Sequence, residues 1–214
     1  MTTIYLIRHP ETPPKLAKQD HSTRLGKEGA RVAHQIAHQL AKHQPHRIYS
    51  SEYLRAQTAA FTLRYTLGAE NHSVVVDPLF NEIGRPLVDG QPFSSLNSYF
   101  WWRKQVIHFP TGQNIRSRFK NTGESYWELL LRVQKILQLF SQEEYQGQSI
   151  AVYTHSQVIA MTKTAIELWP YFDDPREIME LFNQNFPRYG SITTLQRSIF
   201  IWKVTEFNNT SHLK

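Results

Sequence analysis

Two arginines and two histidines stand where predicted strands and helices begin or end. Arg8 and His9 directly follow the apolar segment 3–7 in "IYLIRHPET", and His155 directly follows "SIAVYT" (149–154). Arg55 falls in the first turn of a helix predicted after "HRIYSS" (46–51), where its guanidinium joins the positive end of that helix. Guanidinium groups pair with phosphoryl oxygens, and a neutral imidazole is a nucleophile. Together the four residues would form a cationic pocket, although singly each could be a buried core histidine or a solvated arginine.

The elements that position these residues alternate between strands and helices. Short apolar, β-branched segments predict strands, and apolar residues at helical spacing predict amphipathic helices. The alternation indicates an α/β architecture with a mostly parallel sheet, and ligands bind such sheets at the carboxyl ends of the strands. The predicted strands are 3–7, 46–51, 73–77 and 149–154, with a C-terminal hairpin in 191–207. The predicted helices are 27–42, 52–67 with Ser51 as N-cap, 126–140, 156–169 and 175–186.

Composition limits the classes of function. The chain has 214 residues and a formal net charge of +6, which favours an anionic partner such as nucleic acid, a membrane surface or a phosphorylated metabolite. It contains no cysteine, which excludes disulfides, zinc thiolates and cysteine nucleophiles. We find neither a secretion signal nor an apolar run of the roughly 18 residues that a membrane span needs, so we expect a cytoplasmic protein without a membrane partner. Residues 1–214 are interpreted as one domain.

Residues 83–123 form the least regular part of the sequence. They combine aromatic, proline, glycine and basic residues without a clear period, and we interpret them as a surface excursion that closes over the site like a lid. Arg116 and Arg118 on this excursion are candidate contacts for a second anionic group of the substrate. The segment "SYFWWRKQVIHF" (98–109) also has the composition of a single-stranded nucleic-acid platform, but we favour the lid and expect no nucleic-acid partner.

The ordered pattern "RHPET … SSEYLRAQTA … NE … GES … YTHS" resembles the histidine phosphatase superfamily, which includes cofactor-dependent phosphoglycerate mutase. The resemblance covers essentially the whole chain. It implies a three-layer sandwich with helices on both faces of the sheet, and it implies neither a cofactor nor a metal ion. By this resemblance, His9 takes the phosphoryl group, Arg8 and Arg55 bind it, His155 stabilises its transfer, and Glu82 protonates the leaving oxygen.

The catalytic acid has rivals in Glu52, Asp77 and Glu124. We favour Glu82 because "NEIG" opens the excursion above the predicted pocket, and a carboxylic acid there can serve a poor leaving group.

The sequence departs from the family pattern at three positions. Pro10 follows the nucleophile where glycine is usual, Lys15 replaces an asparagine, and Ser156 follows the second histidine where glycine is usual. Lys15 could reach the anion as a point charge, and the Ser156 hydroxyl could donate to the substrate. Together the changes could also reduce activity.

The sequence therefore predicts a metal-independent phosphomonoesterase that acts on a phosphorylated small molecule through a phosphohistidine. Two alternatives stay open: phosphoryl transfer of the phosphoglycerate mutase type, and a catalytically weak module that binds phosphate or a phosphoprotein. The substrate itself is not specified by the sequence. A homo-oligomer could form through the predicted edge strand 199–207.

Overall fold

A six-stranded sheet forms the centre of the protein. The computed structural model describes residues 1–13, 20–85, 87–88, 91–92, 97–199 and 201–213. The strands are β1 (Thr2–Arg8), β2 (Arg47–Ser50), β3 (Val74–Val76), β4 (Leu87–Val88), β5 (Gln91–Pro92), β6 (Ser149–Thr154), β7 (Ile192–Arg197) and β8 (Trp202–Asn209). The central sheet has the order β3-β2-β6-β1-β7-β8, and β4 pairs with β5 separately. Its first four strands are parallel, and β7 and β8 form an antiparallel edge. The mostly parallel sheet and the C-terminal hairpin are thus confirmed.

Helices cover both faces of this sheet. They are α1 (Lys27–Ala41), α2 (Leu54–Thr66), α3 (Asn97–His108), α4 (Tyr126–Leu139), α5 (Ser156–Leu168) and α6 (Pro175–Gln184). The side chains of β1 show how both faces are filled, because successive residues of a strand point to opposite sides. Ile4 and Leu6 pack in the cluster formed with α4, α5 and α6, whereas Ile7 packs with α1 and α2. This arrangement confirms the three-layer α/β sandwich. None of the helices in the described part of the chain is long and apolar enough to cross a membrane.

The core between the sheet and the α1–α2 layer is built around a tyrosine. Tyr153 of β6 is fully buried among the alanines of α1 and α2, whose small side chains leave room for its ring. Burial raises the pKa of the Tyr153 hydroxyl, and this hydroxyl has no hydrogen-bond partner within the described residues.

The first turn of α1 packs directly against the segment that follows His9. Gly29 is buried there, and a Cβ atom added to it would lie 2.1 Å from the carbonyl oxygen of Glu11. Only a residue without a side chain allows this approach of helix and loop. The loop beside His9 is therefore held by backbone packing against α1.

Two sequence predictions need correction. Helix α2 begins at Leu54 with Tyr53 as its N-cap, rather than after Ser51. The Ser51 side chain hydrogen-bonds instead to His155.

The excursion 83–123 also contains a regular element that the sequence did not predict, the helix α3. Its period is obscured because large aromatic residues, Phe100 and Trp101, lie on the exposed side of this helix, where polar residues are usual. Closure of the excursion as a lid stays a prediction.

Candidate active site

The site forms where neighbouring parallel strands end. β1 and β6 are adjacent and in register, with Arg8 opposite Thr154. The His9 N–H donates to the Thr154 carbonyl oxygen at 3.1 Å, which places the residues that follow the two strands side by side. The rings of His9 and His155 accordingly lie 5.0 Å apart, centroid to centroid. The predicted pairing of the strand-end histidines is therefore present in the structure.

The contacts of His9 define its tautomer. The ring is buried, with Nδ1 2.7 Å from the Pro10 carbonyl oxygen and Nε2 3.0 Å from Nε of Arg55. A carbonyl only accepts and a guanidinium only donates, so Nδ1 carries the proton and Nε2 presents a lone pair. Burial, followed by the charge of Arg55, lowers the pKa of His9 to about 3. Neutral His9 thus has a nucleophilic Nε2, and Pro10 contributes the carbonyl that orients the ring.

Two arginines, Arg55 buried and Arg8 partly buried, lie near His9. Arg55, in the first turn of α2, is 2% exposed, and its Nη1 donates to the Asp20 carbonyl oxygen at 2.8 Å. Arg8 donates from Nη1 to the Pro187 carbonyl oxygen at 2.6 Å, and its Cζ lies 3.6 Å from the centroid of the Tyr189 ring. Burial lowers the pKa of both guanidinium groups.

These two guanidinium groups lack anionic partners. Neither arginine forms a salt bridge with a carboxylate among the described residues, and Nε of Arg8 is buried without a hydrogen-bond partner there. Burying a charge without an opposite charge is costly. An anion in this pocket would supply the missing charge and accept from the free donor.

His155 provides a second imidazole with a free nitrogen. Its ring is fully buried, Nε2 lies 2.8 Å from the Ser51 hydroxyl oxygen, and Nδ1 has no partner within the described chain. Burial and the nearby His9 hold the pKa of His155 well below its usual range. Sequence reasoning placed Ser51 as a helix cap and so missed this contact. The signal was available, because Ser51 directly follows the end of β2 at the same edge of the sheet.

Glu82 follows the short helical turn Pro78–Phe80 in the sequence, and its carboxyl group contacts the amino end of α5. The N–H groups of Ile83 and Gln157 each donate to its carboxyl group at 3.2 Å, and the Ser156 hydroxyl donates at 3.2 Å. Burial raises the pKa of Glu82 despite these donors. A partly buried carboxyl group with a raised pKa is suited to donate a proton. The Ser156 hydroxyl contacts this carboxyl group, so Ser156 is placed to orient Glu82.

The rival acids have structural contacts. Glu124 forms a salt bridge with Arg132 at 2.7 Å and accepts from the Gly84 N–H. Glu52 is exposed and accepts from the side chain of Asn81, and Asp77 caps the short helical turn that follows it. Glu82 is the carboxyl group whose surroundings favour an acid.

The two excursion arginines predicted to contact the substrate have partners on α4, and their role as substrate contacts stays a prediction. Arg116 lies over the ring of Trp127, and Arg118 forms an ion pair with Glu128, so both contact α4. Lys15 lies outside the described residues. Arg103, which lies on α3 within the aromatic and basic segment 98–109, was not singled out as a site candidate from the sequence.

A cleft opens beside Glu82. Its volume is about 350 Å³, and Glu82, Tyr53, His21 and Asn81 contribute to its walls. This space is large enough for a small leaving group next to the candidate acid. Across the described ranges, no group of three or more His, Asp or Glu side chains is placed to hold a metal ion.

Comparisons with known proteins agree with this arrangement. The family profile described as the histidine phosphatase superfamily (branch 1) matches residues 4–209. No curated protein sequence matches the chain.

Solved structures share the fold at low sequence identity. A mycobacterial glucosyl-3-phosphoglycerate phosphatase with inorganic phosphate has a TM-score of 0.75 at 20% identity and covers 100% of both chains. A phosphoserine phosphatase from Entamoeba histolytica in complex with phosphoserine has a TM-score of 0.72 at 21% identity and covers 100% of both chains. A putative α-ribazole-5′-phosphate phosphatase from Escherichia coli has a TM-score of 0.71 at 21% identity and covers 97% of this chain and 96% of its own. This likeness shows a common fold.

Proposed function

This chain belongs to the histidine phosphatase superfamily, branch 1, and we propose that it is a phosphomonoesterase that hydrolyses a phosphorylated small molecule through a phosphohistidine at His9. The observation that carries the proposal is a neutral imidazole, with its Nε2 lone pair free of a proton, beside the buried guanidinium of Arg55 and the partly buried one of Arg8. That combination supplies both an anion site and a nucleophile. The named functions of the three structural relatives, all phosphatases, support the same reaction class.

In the first step, Arg8 and Arg55 bind the phosphoryl oxygens. Nε of Arg55 leaves His9 Nε2 for a phosphoryl oxygen, and Nε2 then attacks phosphorus in line with the leaving oxygen. The bond from phosphorus to the leaving oxygen breaks while the carboxyl proton of Glu82 passes to that oxygen. The products are the free alcohol, a phosphorylated His9 and an ionised Glu82. The Pro10 carbonyl, which accepts from Nδ1, stabilises the positive charge that the ring gains.

In the second step, water reverses the roles. Ionised Glu82 takes a proton from water as the water oxygen attacks phosphorus, and the bond between phosphorus and Nε2 breaks. Inorganic phosphate leaves, and His9 and Glu82 return to their starting protonation states. In this proposal His155, whose Nε2 is held by Ser51 and whose Nδ1 has no partner among the described residues, hydrogen-bonds the transferring group through Nδ1.

The proposed reaction is tested with p-nitrophenyl phosphate between pH 5 and 7, in the presence of a chelator, using wild type and His9→Asn. We expect wild-type turnover that the chelator does not change. We also expect a phosphoenzyme, trapped by quenching in alkali because acid hydrolyses the phosphorus–nitrogen bond, that the variant lacks. Glu82→Gln should lose far more rate with an alkyl phosphate than with p-nitrophenyl phosphate, because p-nitrophenolate needs no proton to leave. Turnover that requires added metal, or that survives in His9→Asn, would contradict the mechanism.

The same experiment separates the alternatives. A mutase would hold its phosphoenzyme for long times and release little phosphate. A binding module would bind inorganic phosphate, measured by calorimetry, without turning over any ester.

A further inference from the structure

We propose that Arg103 forms a second anion site beside the phosphate pocket and binds a carboxylate on the alcohol portion of the substrate. The substrate class would then be phosphomonoesters of hydroxy acids. This inference rests on the proposed function, and its test below separates the failure of one from the failure of the other.

The position of Arg103 is set by α3. Tyr99 and Arg103 are four residues apart and therefore share one face of this helix. Tyr99 meets Ile83 and Gly84 around a narrow gap, and these two residues directly follow Glu82 in sequence. Arg103 thus lies one helical turn from residues that border the candidate acid.

The contacts of Arg103 leave most of its guanidinium available. Nε donates to the Tyr126 hydroxyl at 3.2 Å, which fixes the plane of the group. Among the described residues, Arg103 forms no salt bridge, and its two Nη atoms have no hydrogen-bond partner. A guanidinium held at Nε presents its two Nη groups side by side, and this pair matches the two oxygens of a carboxylate.

The nearby carboxylates are already engaged by other arginines. Glu124 pairs with Arg132, and Glu128 pairs with Arg118. Arg103 is therefore a part-buried cation without a neutralising partner in the described part of the chain. Although burial lowers the pKa of Arg103, the hydroxyl of Tyr126 and the more distant Glu82 raise it overall, so the group is charged.

The two cations that the sequence suggested for this role already have partners. Arg118 would have to give up its ion pair with Glu128, and Arg116 its stacking on Trp127, before either could bind a substrate. Arg103 needs no such exchange, because its Nη groups have no hydrogen-bond partner in the described part of the chain.

The test compares two substrates that differ only in the carboxylate, O-phosphoserine and O-phosphoethanolamine. We measure kcat/KM for both with wild type, Arg103→Met and Arg103→Lys. The matched control is Lys104→Met, which removes the same charge from the next residue of α3, an exposed one. We expect wild type to prefer O-phosphoserine, and Arg103→Met to lower that preference about 10- to 100-fold, the range of one charge-assisted contact. Arg103→Lys should retain part of the preference, and Lys104→Met all of it.

Two results would overturn the inference. One is a wild type without preference for the carboxylate. The other is an Arg103→Met variant that loses activity toward both substrates equally, because a structural role of Arg103 affects both alike. If the wild type does not hydrolyse p-nitrophenyl phosphate, the proposed function fails. The second anion site is then tested by measuring the binding of O-phosphoserine and O-phosphoethanolamine by calorimetry. Tighter binding of O-phosphoserine by wild type and Lys104→Met, but not by Arg103→Met, supports the site. Equal binding of the two compounds by wild type refutes it.

Discussion

Acid should destabilise this protein through the buried imidazole of His9. Burial and the charge of Arg55 hold the pKa of His9 at about 3, against an unperturbed value of 6.5. Between these two values the unfolded chain binds a proton at this position and the folded chain does not. The free energy of unfolding therefore falls as pH falls below 6.5, and this contribution is fully lost near pH 3.

The magnitude follows from the two pKa values. Between pH 7 and pH 5 the unfolded imidazole becomes almost fully protonated, while the folded ring stays neutral. This difference corresponds to a loss of about 2 kcal/mol in the free energy of unfolding for His9 alone. The loss is large beside the total stability of about 5–15 kcal/mol that is typical of globular proteins.

The assay is urea unfolding, followed by tryptophan fluorescence at pH 7 and pH 5, in buffers without phosphate because phosphate would bind the pocket. His9→Asn cannot titrate, and its amide can still donate to the Pro10 carbonyl oxygen. We expect wild type to lose about 2 kcal/mol more than His9→Asn over this range. His34→Asn, at an exposed position on α1, is the control and should behave like wild type. Equal losses in wild type and His9→Asn would refute the argument that His9 is buried in its neutral form.

Three further substitutions test other parts of the structure. Tyr153→Phe removes a buried hydroxyl without a partner, so the free energy of unfolding should rise by about 1 kcal/mol, and a decrease in urea unfolding would contradict the packing described. Gly29→Ala should destabilise by about 1–3 kcal/mol and lower activity because the new Cβ overlaps a backbone carbonyl, whereas Gly112→Ala, in an open site, should leave both nearly unchanged. Ser156→Ala removes a hydrogen bond that favours the ionised form of Glu82, so the pKa of Glu82 should rise. The alkaline limb of the pH profile of kcat/KM should then move to higher pH. An alkaline limb that does not move would contradict the effect of Ser156 on Glu82.

The sequence was most informative where one rule of topology applied. Parallel strands place their carboxyl ends at the same edge, so His9 and His155 could be paired without knowing any side-chain position. The same rule applied to Ser51, but a serine before a helix also matches a capping pattern, and the local interpretation was wrong. Only the neighbouring strand β6, distant in sequence, shows that Ser51 contacts His155.

Residues on the excursion could not be predicted in this way. The choice of Arg116 and Arg118 as substrate contacts came from their place in the chain. Which carboxylate or ring a long side chain meets depends on the packing of α3 against α4, and the sequence carries no local signal of that packing. Arg103 was missed for the same reason, since its distinguishing feature is the lack of a carboxylate partner among the described residues.

The hydrogen bond from Arg55 to His9 has a chemical consequence beyond positioning. While no anion is bound, the lone pair of Nε2 accepts a hydrogen bond from the cationic Arg55, with the two nitrogens 3.0 Å apart. This lone pair is the group that would otherwise react with alkylating or acylating reagents or bind a transition-metal ion. The ring is therefore shielded from all of them in the empty enzyme. In the proposed mechanism, a phosphoryl group that draws Arg55 away would remove the shield as its own phosphorus arrives. The substrate would then expose the nucleophile that it uses, and chemical selectivity would begin before the first bond is made.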